Sequence, residues 1–239
     1  MIKTLTARER VIVALDVAER SQAEALVATL GDTVGFYKIG MQLQYAGGIE
    51  LARELAAAGK RVFLDAKLYD IEATVRGAVG TVARLGVDFL TIHGTVRTIR
   101  AAVEGRQQQR PQLLAVTVLT SLDQQDIADL GFPCTVADLV LARARAAVAA
   151  GCDGVVASGH EAAAIRAMAG DRLIIVTPGI RLSGSPTHDQ KRVMTPAEAI
   201  AAGADYLVVG RDITAAADPR EAAQRVVADI ERGLAGISS

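Results

Sequence analysis

Residues 36–64 read FYKIGMQLQYAGGIELARELAAAGKRVFL and contain the pattern that decides the fold. An apolar run, Phe36–Ile39, is followed by a longer alanine-containing stretch and then by a second apolar run, Val62–Leu64. Continuous apolar runs are typical of strands covered on both faces, as in a parallel sheet with helices on its surface. The pattern therefore predicts one strand–helix–strand unit.

The same pattern recurs along the whole chain. The eight predicted strands are Val11–Leu15, Phe36–Ile39, Val62–Leu64, Phe89–Ile92, Leu113–Val118, Gly154–Ala157, Leu173–Val176 and Tyr206–Val209. Eight β/α units in 239 residues predict an α/β protein with one (β/α)8 TIM-barrel domain over residues 1–239. A doubly wound parallel sheet is the structural alternative.

Helix starts and loops complete this prediction. Three places put a capping oxygen three residues before a carboxylate, which is the pattern of a helix N-terminus: Ser21 with Glu24, Thr195 with Glu198, and Asp218 with Glu221. Two long connections, 119–135 and 178–195, are predicted to be loops on one barrel face. Residues 179–190 contain small residues and His188, so we predict a lid that closes over a ligand.

Composition excludes several classes of protein. There are 26 Lys and Arg against 27 Asp and Glu, so no excess positive charge is present to hold a nucleic acid. No segment approaches a membrane span, and the first ten residues lack the apolar region of an export signal. Cys134 and Cys152 have neither a metal-binding spacing nor a disulfide framework. We therefore expect a cytoplasmic protein.

Charged side chains follow the predicted strands, at the barrel face where active sites lie. Asp16 follows the first strand, Lys38 lies in the second, and Asp65 and Lys67 follow the third. Asp65 and Lys67 are two residues apart, so their side chains project to the same side and can form one electrostatic array. Asp70 lies just beyond the strand, so its side chain could turn toward another site. The alternative is an ordinary ion pair at the barrel rim.

Gly210-Arg211 after the last predicted strand resembles a phosphate site, because loops after strands seven and eight of such barrels often bind phosphate. A helix-capping glycine followed by a solvated arginine is the alternative. Thr120-Ser121 could cap a turn or bind a ligand amide. His93 is interpreted as a histidine with satisfied hydrogen bonds rather than a catalytic one.

Taken together, these motifs resemble those of the orotidine 5′-phosphate decarboxylase family. The resemblance covers nearly the whole chain in the same order, and the D-x-K-x-x-D run is its most specific part when P-G-I-R and V-G-R accompany it. The motifs are Val13–Asp16, Tyr37–Gly40, Asp65–Ile71 with Thr74-Val75, Leu119–Ser121, Thr177–Arg181, Asp189-Gln190 and Val209–Arg211.

The resemblance implies a homodimeric (β/α)8 enzyme that converts orotidine 5′-monophosphate to uridine 5′-monophosphate (UMP) and CO2 without a metal or organic cofactor. It implies that Lys67 donates the proton beside Asp65, and that Asp70 and Thr74 reach the partner's site. For the substrate it implies ribose contacts from Asp16 and Lys38 and pyrimidine contacts from Thr120 and Ser121. It implies that Arg181, Gln190, Gly210 and Arg211 hold the phosphate, and it adds Pro178 as a further substrate-binding residue.

The chain departs from the usual family pattern near Asp70. Tyr69 stands where His is common, and Glu72-Ala73 replace Pro-Asn. Two other functions stay open: a metal-dependent sugar-phosphate enzyme that shares the D-x-K-x-x-D array, as in 3-keto-gulonate-6-phosphate decarboxylase, and a barrel that binds phosphate ligands without turnover.

Overall fold

The predicted barrel is present in the computed structural model, which describes residues 5–106, 110–183 and 192–237. Each described strand pairs in parallel with the next, and β8 pairs with β1, so the sheet closes on itself. The doubly wound alternative is therefore wrong. The strands are β1 (Val11–Ala14), β2 (Phe36–Ile39), β3 (Arg61–Leu68), β4 (Phe89–His93), β5 (Gln112–Val116), β6 (Gly154–Val156), β7 (Ile174–Thr177) and β8 (Tyr206–Val209).

Helices follow the strands and cover the outside of the barrel. In the described part of the chain they are α1 (Arg20–Leu30), α2 (Met41–Leu43), α3 (Ile49–Ala57), α4 (Glu72–Val82), α5 (Val96–Gly105), α6 (Gln124–Asp129), α7 (Val136–Ala149), α8 (Gly159–Ala169), α9 (Pro196–Ala201), α10 (Arg211–Thr214) and α11 (Pro219–Ile237). A π-helical turn, Gln44–Gly48, joins α2 to α3.

The barrel interior and the helix layer are filled by different residues. Half of the chain's eight aromatic residues, Phe36, Phe63, Phe89 and Tyr206, pack inside the barrel. The guanidinium of Arg61 lies 4.1 Å from the centre of the Phe36 ring and also contacts the rings of Phe89 and Tyr206. Branched aliphatic residues and alanines fill the space between the sheet and the helices, which agrees with a chain that contains 44 alanines.

Three aspartates tie neighbouring strands together at the amino ends. Asp88, Asp153 and Asp205 precede β4, β6 and β8, and each carboxylate accepts a backbone N–H at the start of the preceding strand. Each aspartate also pairs with at least one arginine. These contacts fasten alternate strand pairs at the end opposite the cavity.

Two of the three predicted helix starts are confirmed. Thr195 forms a capping box with Glu198 at the start of α9, and Asp218 accepts the N–H of Glu221 at the start of α11. The prediction at Ser21 is wrong, because α1 begins at Arg20 and Ser21 lies inside the helix. Glu19 and Gln22 form the capping box there, while Glu24 pairs with Arg20 at 2.7 Å.

The two long connections contain more structure than predicted. Residues 119–135 include α6, which Asp123 caps together with Asp126. In the second connection Ile180 forms a β-bridge with Met194, and Arg181 N–H donates to the Met194 carbonyl at 3.0 Å. The proposed lid, 179–190, lies mostly outside the described residues, as does His188.

Candidate active site

A cavity of about 510 Å³ opens at the carboxyl ends of the barrel strands. Its deeper wall is apolar and includes Ala14, Phe63 and Val208. Ten of the predicted site residues line it: Asp16, Lys38, Asp65, Lys67, Thr120, Ser121, Pro178, Arg181, Gly210 and Arg211. The structure therefore brings together residues that are up to 195 positions apart, Asp16 and Arg211 being the extremes.

Asp16, Lys38, Asp65 and Lys67 form a continuous charged array along one wall. Lys38 Nζ lies 2.9 Å from Asp16 Oδ1 and 3.4 Å from Asp65 Oδ2. Lys67 Nζ lies 2.8 Å from Asp65 Oδ1. The Asp65 carboxylate thus bridges two ammonium groups, and the predicted contact between Asp65 and Lys67 exists.

Burial and charge act in opposite directions on this array. Burial favours the neutral form of Asp65, but the charges of Lys38 and Lys67 outweigh it and hold the pKa of Asp65 below its usual value. Burial likewise works against the charged form of Lys38, and the charges of Asp65 and Asp16 outweigh it and raise the pKa of Lys38. The central pair therefore stays ionised.

An irregular segment of β3 orients the side chains of Asp65 and Lys67 in the array. Leu64 pairs with Leu90 and Leu68 with Ile92, so β3 advances by four residues where β4 advances by two. The extra residues form a bulge in which Lys67 has a φ of 48°. The sequence predicted that β3 ends at Leu64, but the strand continues to Leu68 and carries Asp65 and Lys67 within it.

Gly40 leaves the space that the Asp16–Lys38 pair occupies. A Cβ built at this position would collide with Asp16 Oδ1 and would lie 3.0 Å from Lys38 Nζ. Gln44, in the π-helical turn that follows, donates from Nε2 to the carbonyls of Ile39 and Asp65, at 3.2 and 3.1 Å. The end of β2 is thereby tied to the bulge of β3.

Two arginines give the opposite end of the cavity a positive charge. Arg181 is 8% exposed, and its burial together with the nearby charge of Arg211 lowers its pKa, while Asp212 opposes that shift. Asp212 Oδ1 lies 3.5 Å from Arg181 Nε, and Asp212 Oδ2 accepts the N–H of Leu182 at 2.8 Å. Beside Arg211, a Cβ at Gly210 would meet only Ala14, at 3.9 Å. This end of the cavity fits an anion.

Two predicted site residues in the described part of the chain, Asp70 and Thr74, do not line the cavity. Asp70 is exposed, and its carboxylate accepts the N–H of Ile71 at 2.6 Å. Thr74 is exposed on α4. Gln190 lies outside the described residues.

His93 ends β4, as predicted, but the expectation of a fully satisfied histidine is wrong. Its Nδ1 is buried without a hydrogen-bond partner among the described residues. The ring stacks on Tyr69, with centroids 4.5 Å apart, and burial and the charge of Arg143 lower the pKa of His93. The other departures, Glu72 and Ala73, form the first turn of α4.

Sequence reasoning missed Thr91, Gln44 and Asp212. Thr91 lies within the apolar run that predicts the fourth strand, Phe89–Ile92. A usable signal was present, because Thr91 is the polar residue of that run and stands two residues from Phe89, which faces the barrel interior. Gln44 and Asp212 have no such signal, since each acts through a turn that sequence periodicity does not describe.

A (β/α)8 barrel with a partly buried Asp/Lys array at one end of its cavity and two arginines at the other has the design of an enzyme for anionic substrates. Residues 9–226 match the model of the Orotidine 5′-phosphate decarboxylase / HUMPS family. The chain belongs to this family, as its motifs predicted.

Relatives match the chain over most of their own length. A protein of Afipia carboxidovorans named orotidine 5′-phosphate decarboxylase is 58% identical over 93% of this chain and 95% of its own. One of Rhodopseudomonas palustris with the same name is 55% identical over 96% and 98%. The crystal structure of orotidine 5′-phosphate decarboxylase from Lactobacillus acidophilus has a TM-score of 0.81 at 35% identity, over 92% of this chain and 98% of that one. The prediction of an enzyme, a carboxy-lyase, is thereby confirmed.

The described residues contain neither a membrane-spanning helix nor a metal-binding cluster. No helix within 5–106, 110–183 or 192–237 is long and apolar enough to cross a membrane. The same ranges contain no group of three or more His, Cys, Asp or Glu arranged to hold a metal ion.

Proposed function

We propose that this protein converts orotidine 5′-monophosphate to UMP and CO2, the last step of de novo UMP synthesis. The observation that carries the proposal is one cavity with the Lys38–Asp65–Lys67 array at one end and Arg181 and Arg211 at the other. The arginines suit the phosphate, and the array suits a reaction that needs both charge stabilisation and a proton.

The chemistry explains the array. When the bond between C6 and the carboxylate breaks, CO2 leaves and its electron pair stays in an in-plane orbital of C6, which the ring delocalises poorly. The ammonium of Lys67 stabilises that pair and then donates a proton to C6, and solvent returns a proton to Lys67. Asp65 holds the Lys67 ammonium at 2.8 Å and keeps it directed along the cavity wall.

The remaining residues bind the substrate. Asp16 and Lys38 contact ribose hydroxyls, and Thr120 and Ser121 contact the pyrimidine. Arg181, Gln190, Gly210 and Arg211 hold the phosphate, Pro178 is a further substrate contact, and residues 179–190 close over the phosphate. No metal or organic cofactor takes part.

The proposed working form is a cytoplasmic homodimer of single-domain chains, with Asp70 and Thr74 contributed to the partner's site. The exposure of both residues supports this arrangement, as do their neighbours Tyr69 and Ile71, which are 66% and 71% exposed. Large apolar side chains gathered on a surface are typical of an interface. The two free cysteines suit a reducing compartment.

The test is to follow the ultraviolet spectrum of orotidine 5′-monophosphate with purified protein, with and without EDTA. We expect UMP to form at the same rate in both, and Lys67→Ala to abolish turnover while the fold and the affinity for UMP persist. Lys60→Ala is the matched control, because Lys60 adjoins the opposite end of the same strand.

Other outcomes assign the protein differently. Activity that disappears with EDTA and returns with a divalent metal indicates the sugar-phosphate alternative. Tight UMP binding without any turnover indicates a binding barrel. Normal kcat in Lys67→Ala excludes Lys67 as the proton donor.

A further inference from the structure

The bulge in β3 leaves the backbone of Lys67 outside the regular β3–β4 ladder. The ladder is in register at Leu64 and again at Leu68. Between them, the φ of 48° at Lys67 belongs to the left-handed region, which is unfavourable for a residue with a Cβ. Such a conformation persists only where the surroundings fix it.

Thr91, on β4, holds the backbone of Lys67 in this conformation. Its side chain is fully buried, at 0% exposure. The Thr91 hydroxyl accepts the N–H of Lys67 at 3.0 Å and donates to Asp65 Oδ1 at 2.8 Å. A hydroxyl has one proton and two lone pairs, so one group can serve both partners at once.

The two bonds join a closed ring that contains both ends of Lys67. The Lys67 backbone N–H bonds Thr91, Thr91 bonds Asp65 Oδ1, and the same oxygen receives Lys67 Nζ at 2.8 Å. The position of the ammonium is therefore fixed through the carboxylate, and the position of the backbone through the hydroxyl. Neither bond can lengthen without disturbing the other.

We propose that Thr91 is a positioning residue for proton delivery: its hydroxyl locks the bulge of β3 and the Asp65 carboxylate in the arrangement that aims Lys67 Nζ into the cavity. This inference rests on the proposed function of Lys67. Thr91 acts through Asp65 and Lys67, and not on the phosphate contacts at the opposite end of the cavity.

Thr91→Val tests the proposal, because valine keeps the shape of threonine and removes only its hydroxyl. We expect kcat for orotidine 5′-monophosphate to fall by about 10²-fold, the cost of a reacting group misplaced by about 1 Å. KM and the affinity for UMP should change little, since the groups that bind phosphate are untouched and Lys38 keeps its shorter ion pair, with Asp16 at 2.9 Å. Thr91→Ser, which keeps the hydroxyl, should retain most of the activity.

Thr117→Val is the matched control. Thr117 is also 0% exposed, and its hydroxyl also donates one bond of 2.8 Å, to the Val156 carbonyl. A purely structural role predicts equal kcat in the two valine variants, and that result would overturn the proposal. Absence of turnover in the unmutated protein would instead overturn the proposed function, so the two failures are distinguishable.

A second pair of variants covers the case in which Thr91→Val does not fold. Thr91→Ala and Thr91→Ser leave similar space in the core and differ by the hydroxyl alone. The proposal requires a large difference in kcat between them, with similar KM. Equal kcat values would contradict it.

Discussion

At the scale of single residues, the two arginines at the end of the cavity that fits an anion differ in their burial. Arg181 is buried and paired with Asp212, whereas Arg211 is exposed on the first turn of α10. Arg211 can therefore meet the phosphate of an entering substrate at the surface of the protein, whereas the Arg181 side chain is almost entirely enclosed. This difference makes Arg211 the better residue for testing phosphate binding.

We predict that Arg211→Ala lowers kcat/KM for orotidine 5′-monophosphate by about 10- to 100-fold, which corresponds to the loss of one hydrogen bond to a charged group. Phosphate-free orotidine should be converted at nearly the same low rate by both proteins. Steady-state kinetics with the two substrates measure this. Arg225→Ala, on the exposed side of α11, is the control, and equal losses on both substrates would place Arg211 outside the phosphate site.

The residues that sequence predicted well share a physical property. Asp16, Asp65 and Lys67 are charged groups next to apolar strands, and a charge beside a core demands a partner or a function. Thr91 was not predicted as a site residue, because burying a hydroxyl within an apolar run costs little free energy once the hydroxyl is hydrogen-bonded. Its partner, the N–H of Lys67, is available only because of a bulge that no periodicity reveals.

At the scale of elements, the apolar runs identify all eight strands, but their ends are less predictable. Predicted β3 ends at Leu64 because the apolar run ends there, whereas the strand continues through inward-facing charged residues. The short helix α6 was missed because six mostly polar residues show no amphipathic period. Strand cores follow from burial, while ends and short helices depend on local hydrogen bonds.

The aspartates before β4, β6 and β8 lie far from the cavity, so we expect their loss to lower the stability of the protein without lowering its activity. Asp205 is buried, accepts the N–H of Ile175 at 2.8 Å and lies 2.6 Å from Arg166. Asp205→Ala leaves both donors without this partner, so we expect a loss of about 3 kcal/mol or more in the free energy of unfolding. The kcat of the folded protein should not change, because Asp205 lies at the end opposite the cavity.

Urea unfolding and kinetics of the same samples test this expectation. Asp171→Ala is the control, because Asp171 lies 3.8 Å from the same Arg166 but its side chain is 87% exposed. An exposed pair contributes about 0–1 kcal/mol. Comparable losses in the two variants would show that Asp205 does not fasten β7 to β8.

At the scale of the whole molecule, the position of Asp70 distinguishes the proposed dimer, in which each site takes Asp70 from the partner, from a chain that forms its whole site alone. Asp65 and Lys67 contact each other within one chain, but the Asp70 carboxylate is exposed and does not line the cavity. In the proposed dimer, a site that needs Asp70 receives it from the partner. We predict that Lys67→Ala and Asp70→Ala dimers, each inactive alone, regain activity when their subunits are exchanged.

The symmetry of a dimer makes the expected gain definite. In a mixed dimer one site combines both substitutions, and the other combines an intact Lys67 from one chain with an intact Asp70 from its partner. Random exchange of equal amounts makes half of the dimers mixed, so about a quarter of all sites are intact. Two differently tagged chains measure how far exchange has gone, and activity is compared with the amount of tagged heterodimer.

A second mixture shows whether any gain comes from sharing. Lys67 and Asp65 belong to the same array of one chain, so mixing Lys67→Ala with Asp65→Ala creates no intact site and should restore nothing. Recovery in the first mixture alone therefore requires that Asp70 cross the interface. If tagged heterodimers of Lys67→Ala and Asp70→Ala form and stay as inactive as their parents, Asp70 serves its own chain. The exposed position of its carboxylate would then have to change when substrate binds.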